Sequence, residues 1–411
     1  MSAAPLDLRA ESPQASAPRG AAVSARTQRA ISIAHTQASN GWGGQEIRIL
    51  TEAAGLGRRG HRVIVYAAEG ARILDEAPRF GVRAVALPIG RKRLIGVRAL
   101  VDAFTRERID IVNAHSSTDA WLAALASGWL RLRHRRHPVL VRTRHVSIAV
   151  PNDPGTRWLY RTASVRIVTT GDALREQLIR DNGIDPQRID SVPSGIDAAH
   201  FSSGDRNAAR RELGLPADVP LIGIVATLRS WKGHRYLLEA LPLMKRSEAR
   251  VVIVGDGPQR AALEAQSQTR GLGDRVVFTG LQNDVAPWLA AFDVFVLPSY
   301  ANEGVPQALL QAMFAGIPCV TTSAGGIPEI AHDGITATVV RAEDPPALAR
   351  AIDALLADRA EAQRLAANAY AFVATRYGLD AMLDRMELVF RRALADNASS
   401  ARVAEQPEAT R

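Results

Sequence analysis

Glu303 and Gln311 bracket the run EGVPQALLQ (303–311), and only small or apolar residues lie between them apart from Gln307. A helix entered through Pro306 in its first turn would put Gln307 and Gln311, four apart, on one face. Glu303 would then stand just ahead of the free N–H groups of the helix start. Such a start is a ready anion site, so a carboxylate beside it must face something else. Sugar hydroxyls fit, because a carboxylate accepts two O–H bonds at once. The plainer alternative is that Glu303 caps the helix and Gln311 is solvated. A second turn, LRSWKGH (228–234), brings Arg229 and Lys232 close together. A planar fork and a point charge suit a diphosphate, although either cation could instead pair with a surface acid. Gly43 and Gly44 in GWGGQE (41–46) let a ligand approach the backbone, as does the turn GDGP (255–258). His115 closes IDIVNAH, and Arg142, Arg144 and His145 close VLVRTRH; each of these is either a group at a strand's carboxyl edge or a structural side chain.

Positioning these groups is the task of repeated strand–turn–helix units. Short β-branched or apolar runs at 29–37, 61–68, 82–88, 109–115, 139–145 and 166–171 read as strands, with helical spacing between several of them. SVPSGIDAAHF (191–201) breaks the pattern. It restarts with strands at 220–227, 249–257, 275–280, 293–299, 318–323 and 336–341, and with helices at 234–244 and about 378–396. Strands alternating with helices imply parallel sheets. The expected fold is therefore α/β, with two facing doubly wound, Rossmann-like domains. Ligands of such sheets lie at the carboxyl ends of the strands, which makes the cleft between the domains the expected site. The expected divisions are a flexible tail at 1–28, a first Rossmann-like domain at 29–195 and a second at 196–377. A helix at 378–397 packs back on the first domain, and 398–411 form a second tail.

The 411 residues are 47% hydrophobic and 23% charged, an ordinary globular composition. The Ala/Ser/Pro-rich start lacks the apolar stretch of a signal peptide. The apolar run AWLAALASGWL (120–130) is too short to span a bilayer. A single cysteine, Cys319, allows no internal disulfide and fits a reducing cytosol. Residues 1–200 hold 29 Lys/Arg against 18 Asp/Glu, and the rest 22 against 24, so the whole basic excess lies in the first half. Its densest parts are RKR (91–93) and RLRHRRH (131–137). Either this is solvated surface, or it meets an anionic partner such as phospholipid headgroups or a phosphorylated glycan. Nothing resembles a nucleic-acid-binding motif, and no nucleic acid is expected. No D-x-D, Walker loop or G-x-S-x-G occurs, and the GWGG turn lacks the G-x-G-x-x-G spacing of a dinucleotide fold.

Together these residues resemble the retaining glycosyltransferases of family 4, which have the GT-B fold and include many bacterial cell-surface glycan enzymes. The likeness runs from about residue 29 to 375. Its most specific part is PSYANEGVPQALLQAMFAGIPCVTTSAGGIPEI (298–330), which looks like the family's Glu-x7-Glu motif and the strand and Gly-Gly loop that follow it. GGQE, VPSGID, LRSWKG, GDGP and FTG support it. The resemblance implies that Glu303 meets the transferred sugar's hydroxyls. The N–H groups of Gly304 and Val305 would hold the sugar or β-phosphate, and Arg229 and Lys232 the diphosphate. Gly43 and Gly44 would close over it, His115 would sit beside the sugar, and the turn through Gly280 and Leu281 would flank the base. One departure stands out: the motif's second carboxylate, the ribose ligand, is Gln311 here. An amide can still accept from one hydroxyl and donate to another, without the assistance of charge.

The implied reaction is metal-independent transfer of a sugar from an NDP-sugar, without a cofactor, to a hydroxyl of a cell-surface glycan precursor. Lipopolysaccharide, O-antigen or exopolysaccharide precursors are the acceptors expected. Configuration would be retained, and the leaving phosphate would help to deprotonate the acceptor. Arg142, Arg144 and His145 are candidates for the acceptor side. The expected location is cytoplasmic, with peripheral contact to the anionic inner face of the membrane through 131–137. Two rival readings keep the fold: a nucleotide-sugar epimerase, and a non-catalytic nucleotide-sugar-binding protein.

Overall fold

A computed structural model describes residues 29–146, 148–201 and 204–405. The first lobe holds seven strands: β1 (Ser32–Gln37), β2 (Arg62–Ala68), β3 (Ala84–Leu87), β4 (Ile111–Ala114), β5 (Val139–Arg144), β6 (Arg166–Thr169) and β7 (Ile189–Ser191). They pair in parallel in the order β3-β2-β1-β4-β5-β6-β7. The second lobe holds β8 (Leu221–Val225), β9 (Arg250–Val254), β10 (Val276–Gly280), β11 (Val294–Leu297), β12 (Cys319–Thr321) and β13 (Thr338–Val339). Its order is β10-β9-β8-β11-β12-β13, again parallel. The central strands β1, β4, β8 and β11 are buried throughout; β8 and β11 accordingly read as continuous apolar runs, whereas β1 buries Ser32, His35, Thr36 and Gln37 and β4 buries Asn113. The α/β architecture of two doubly wound sheets matches the expectation.

Strand order reverses between β1 and β4 in one sheet and between β8 and β11 in the other. These switch points are where open α/β sheets leave a crevice. The loops that matter therefore follow β1 and β4 on one side and β8 and β11 on the other.

Two differences from the sequence reading have simple causes. β7 is Ile-Asp-Ser, with one apolar residue in three, so no apolar run marks it in the sequence. The last helix, Leu379–Glu405, runs through most of the segment expected as a tail (398–411); residues 406–411, and the tail expected at 1–28, lie outside the described residues. Met382, Leu383, Met386, Val389, Phe390 and Ala393 recur at helical spacing and bury against Ile33, Ile111, Val141 and Val168 of the first sheet. A helix fixed by that stripe propagates past its packed part, because adding a residue to an existing helix is cheap. The chain crosses between lobes twice, side by side: the N–H of Ile196 donates to Tyr377 O, and the N–H of Leu379 to Ile196 O. A Cβ on Gly195 would come within 2.8 Å of Leu379 Cα and Met382 Cβ, so this crossing has no room for a side chain.

Candidate active site

On the second-lobe wall, Lys232 ends a one-turn helix after β8, and Glu303 lies in the loop after β11. Lys232 Nζ donates to both carboxylate oxygens of Glu303, at 2.7 and 3.0 Å, and Ser299 Oγ donates to one of them at 2.6 Å. Glu303 is only 5% exposed. Its backbone is held by the Gly325–Gly326 turn, whose Gly326 N–H donates to Glu303 O. Gly325 has φ of 55°, and a Cβ there would stand 2.2 Å from Glu303 O, so only glycine fits both demands. The carboxylate therefore faces Lys232 and Ser299 rather than capping the helix, and Gln311 is buried rather than solvated. Pro306 stands one place earlier than expected: with ψ of 121° it is the cap residue, and the helix proper is Gln307–Phe314.

On the first-lobe wall, Gly43 and Gly44 open the helix Gly44–Arg58. A Cβ on Gly44 would lie 3.1 Å from Gln307 Oε1 on the opposite wall. Glu46, one turn in, accepts from Gln37 Nε2 at 2.6 Å, yet burial still pushes its carboxyl up to about 7. Asp119 accepts the backbone N–H groups of His115 and Ser116 and the hydroxyl of Thr36, locking the turn after β4.

Between the walls lies a cavity of about 630 Å³, a volume suited to a small ligand. Of the expected donor-side residues, Gly43, Gly44, Lys232, Leu281 and Gln311 line it, joined by Trp42, Gln307 and Asp256. Gly280 sits just behind Leu281, bridged to Gly255. Arg229 is different. Its exposed guanidinium lies 5.7 Å from the Trp231 ring centre and does not line the cavity. Gly304 and Val305 fill the point where the lobes meet: a Cβ on Gly304 would be 2.7 Å from Thr170 Oγ1 and 3.1 Å from His145 O. His115, Arg142, Arg144 and His145 cluster in the first lobe without lining the large cavity. Arg142 is buried, donates to Ser116 O and stacks 4.7 Å from the Tyr160 ring centre. A second cavity of about 270 Å³ at the carboxyl ends of β1 to β3 is lined by Asn40, Glu69, Arg91 and Arg93 among others.

Residues 42–200 match the family described as Glycosyltransferase Family 4, and residues 219–358 match Glycosyl transferases group 1. A D-inositol 3-phosphate glycosyltransferase from Xylanimonas cellulosilytica is 31% identical over 83% of this chain and 91% of its own. The chain is a family 4 glycosyltransferase. Its fold is GT-B: a glycosyltransferase from Rickettsia africae aligns with a TM-score of 0.76 at 20% identity over 89% of this chain and 99% of that one. Anabaena HepE, solved with UDP-glucose, gives 0.76 at 21% identity over 90% and 100%.

A further contact joins the lobes of this glycosyltransferase. Glu329, in the loop that follows Gly325–Gly326, accepts the backbone N–H groups of Asp172 and Ala173 at 2.8 Å each. Those groups start the first-lobe helix Asp172–Asn182, so a second-lobe carboxylate caps a first-lobe helix and its dipole. Gly171 leaves the room: a Cβ there would stand 2.7 Å from Glu329 Oε1. Glu329→Ala should cost about 2 kcal/mol, the scale of hydrogen bonds to a charged group, and lower the melting temperature by a few degrees. It should also lengthen the maximum dimension in small-angle scattering. An unchanged scattering profile would show that this cap does not hold the lobes together.

Proposed function

We propose that this glycosyltransferase moves a sugar from an NDP-sugar to a hydroxyl of an anionic, lipid-linked glycan precursor of the cell surface. Configuration is retained, and no metal or cofactor takes part. The observation that carries the reading is the Lys232–Glu303 pair in the wall of the interlobe cavity. Paired in this way, each group neutralises the other. When a donor enters, the ammonium turns to the diphosphate and the carboxylate to the sugar hydroxyls. As the anomeric bond breaks, negative charge builds on the diphosphate, where Lys232 and the start of helix Gln307–Phe314 are preorganised to receive it. Arg229, at the rim, swings in to complete the cationic pocket. Gln311, Leu281 and Asp256 hold the nucleoside end.

On the acceptor side, the basic first lobe favours an anionic substrate. Arg91 and Arg93 in the smaller cavity, with Arg142 and Arg144, are its candidate contacts. The helix Ser117–Leu132 ends on exposed Trp129 and Leu132 beside Arg131, Arg133, Arg135 and Arg136. Such an edge suits the anionic inner face of the cytoplasmic membrane. No helix among the described residues is long and apolar enough to cross that membrane. A second reading, favoured by the relative's name, makes the acceptor a small phosphorylated polyol.

A thermal-shift panel of UDP-, GDP-, ADP- and dTDP-sugars tests the donor, with UDP-glucose first. A bound donor at about 100 times its dissociation constant adds roughly 2.7 kcal/mol. The donor found is then offered D-inositol 3-phosphate or a lipopolysaccharide core oligosaccharide, and the product anomer is read by NMR. No shift with any sugar nucleotide, or epimerised donor without acceptor, would overturn the proposal.

A further inference from the structure

The helix Gln307–Phe314 opens on an amide, and a second follows one turn later. Gln307 is its first residue, and Gln311 stands four further on along the same face. Both line the interlobe cavity. Gln311 is 6% exposed. Gln307 is half-buried, and its Oε1 is covered without a hydrogen-bond partner among the described residues. That oxygen packs on Gly44 of the first lobe, where a Cβ would stand 3.1 Å away. A covered acceptor left without a donor is destabilising. Its place on a cavity wall is explained by a donor group that arrives with the ligand.

The identity of that group follows from Gln311. A ribose presents two neighbouring hydroxyls. A carboxylate has two oxygens, one for each of them, whereas the amide of Gln311 has one. It accepts from one hydroxyl and can only donate to the other, whose O–H then needs an acceptor of its own. The four carboxylates around the cavity are already engaged. Glu76 pairs with Arg72 and Arg79, and Asp284 with His200. Asp197 and Asp256 accept the N–H groups of Ala199 and Gly257. Gln307 Oε1 is an acceptor with no bond to break first. Its terminal torsion is soft, and Gly44 sets no side chain in the way as the amide turns.

We infer that Gln307 is a specificity-determining ligand of the donor's ribose, accepting the 3′-hydroxyl while Gln311 accepts the 2′-hydroxyl. The inference rests on the nucleotide-sugar reading above. On that reading the diphosphate lies at the helix start beside Lys232, and the base lies towards Leu281. In a nucleoside diphosphate the 3′-carbon adjoins the carbon that bears the phosphate arm, and the 2′-carbon adjoins the one that bears the base. Gln307, at the helix start, therefore meets the 3′-hydroxyl, and Gln311, one turn further along, meets the 2′-hydroxyl. Two amides together replace one carboxylate, and they add no negative charge to a cavity that already holds Asp256 and Asp284 and must admit a diphosphate.

Isothermal titration of the full chain with UDP, GDP, ADP and dTDP selects the nucleotide, and its 2′-deoxy and 3′-deoxy forms are then compared with it. The parent should bind the complete nucleotide about fivefold more tightly than either deoxy form, the scale of one neutral hydrogen bond. Gln307→Leu keeps side-chain length and helix propensity. It should bind the 3′-deoxy form as tightly as the complete nucleotide and still discriminate against the 2′-deoxy form. Gln311→Leu should do the reverse. The carboxylate introduced by Gln311→Glu can take both hydroxyls, so in that background Gln307→Leu should change affinity by less than about twofold. A helix that was merely disturbed would weaken all three nucleotides alike, and that outcome would overturn the inference. So would a Gln307→Leu protein that still discriminates against the 3′-deoxy form, or one that loses affinity equally in both backgrounds; each leaves the donor reading standing. Binding of dTDP alone would do the same, since that nucleotide has no 2′-hydroxyl for Gln311. A chain that binds none of the four would overturn the donor reading and this inference with it.

Discussion

Lys232→Ala is expected to cut turnover by about two to three orders of magnitude while shifting the melting temperature by only a few degrees. Removing one preorganised donor to a developing charge costs about 3–4 kcal/mol of transition-state stabilisation. Lys232 is the cation that lines the cavity next to Glu303. The fold should tolerate the loss, because the Lys232 side chain is 21% exposed and Glu303 keeps Ser299 as a partner. Arg229→Ala should cost less, about tenfold, since that guanidinium starts on Trp231 and must pay to reorganise before it can help. Steady-state turnover with the donor found by thermal shift, beside a melting curve for each variant, separates the two effects. Turnover within threefold of the parent in Lys232→Ala would move the charge-receiving role to another group.

Much of this arrangement is written locally, and that part was legible. Buried parallel strands tend to be apolar on both faces, so β8 (LIGIV) and β11 (VFVL) announce themselves. Glu303, Gln311 and Lys232 follow strands at turns rich in Gly and Pro, and their chemistry is unusual for a loop. What stayed hidden depends on pairing across sequence distance. Nothing near Lys232 shows that its partner is 71 residues away. Glu329 reads as an ordinary loop acid until its first-lobe helix is placed against it. His35 lies within a strand and Glu52 within a helix, where single polar residues look like tolerated exceptions. The rule that singled out His115 and His145, a histidine at a strand's carboxyl edge, passes over His35, which lies inside β1. Arg229 shows the opposite failure: turn chemistry located the residue, but its rotamer is set by Trp231 rather than by the cleft.

Acidification from pH 7 to pH 5 is expected to lower the melting temperature by a few degrees. Burial holds His35 and His234 down to about 3 and lowers His61, His115 and His145 as well. In the unfolded chain each ring titrates near its ordinary value of about 6.5. Below that pH the unfolded state binds protons that the native state refuses, so stability rises with pH across the window from about 3 to 6.5 and is lost on descending through it. Glu46 and Glu52 act the other way. Raised to about 7, they keep protons in the native state that the unfolded chain has shed, which favours the fold as pH falls toward the ordinary carboxyl range. Asp119 and Glu329, also raised by burial, pull with them. Each ring loses about as much over this window as each carboxyl raised to about 7 gains, so five rings against four carboxyls leaves the histidines ahead by a narrow margin. Melting curves at both pH values, in enough salt to screen the chain's formal charge of +9, decide the balance. His234 isolates the cause. It is 2% exposed and both of its ring nitrogens lack a hydrogen-bond partner among the described residues, so His234→Phe should raise the melting temperature at both pH values and shrink the difference between them. A parent protein that melts higher at pH 5 than at pH 7 would mean that the buried carboxyls, not the rings, govern its response to acid.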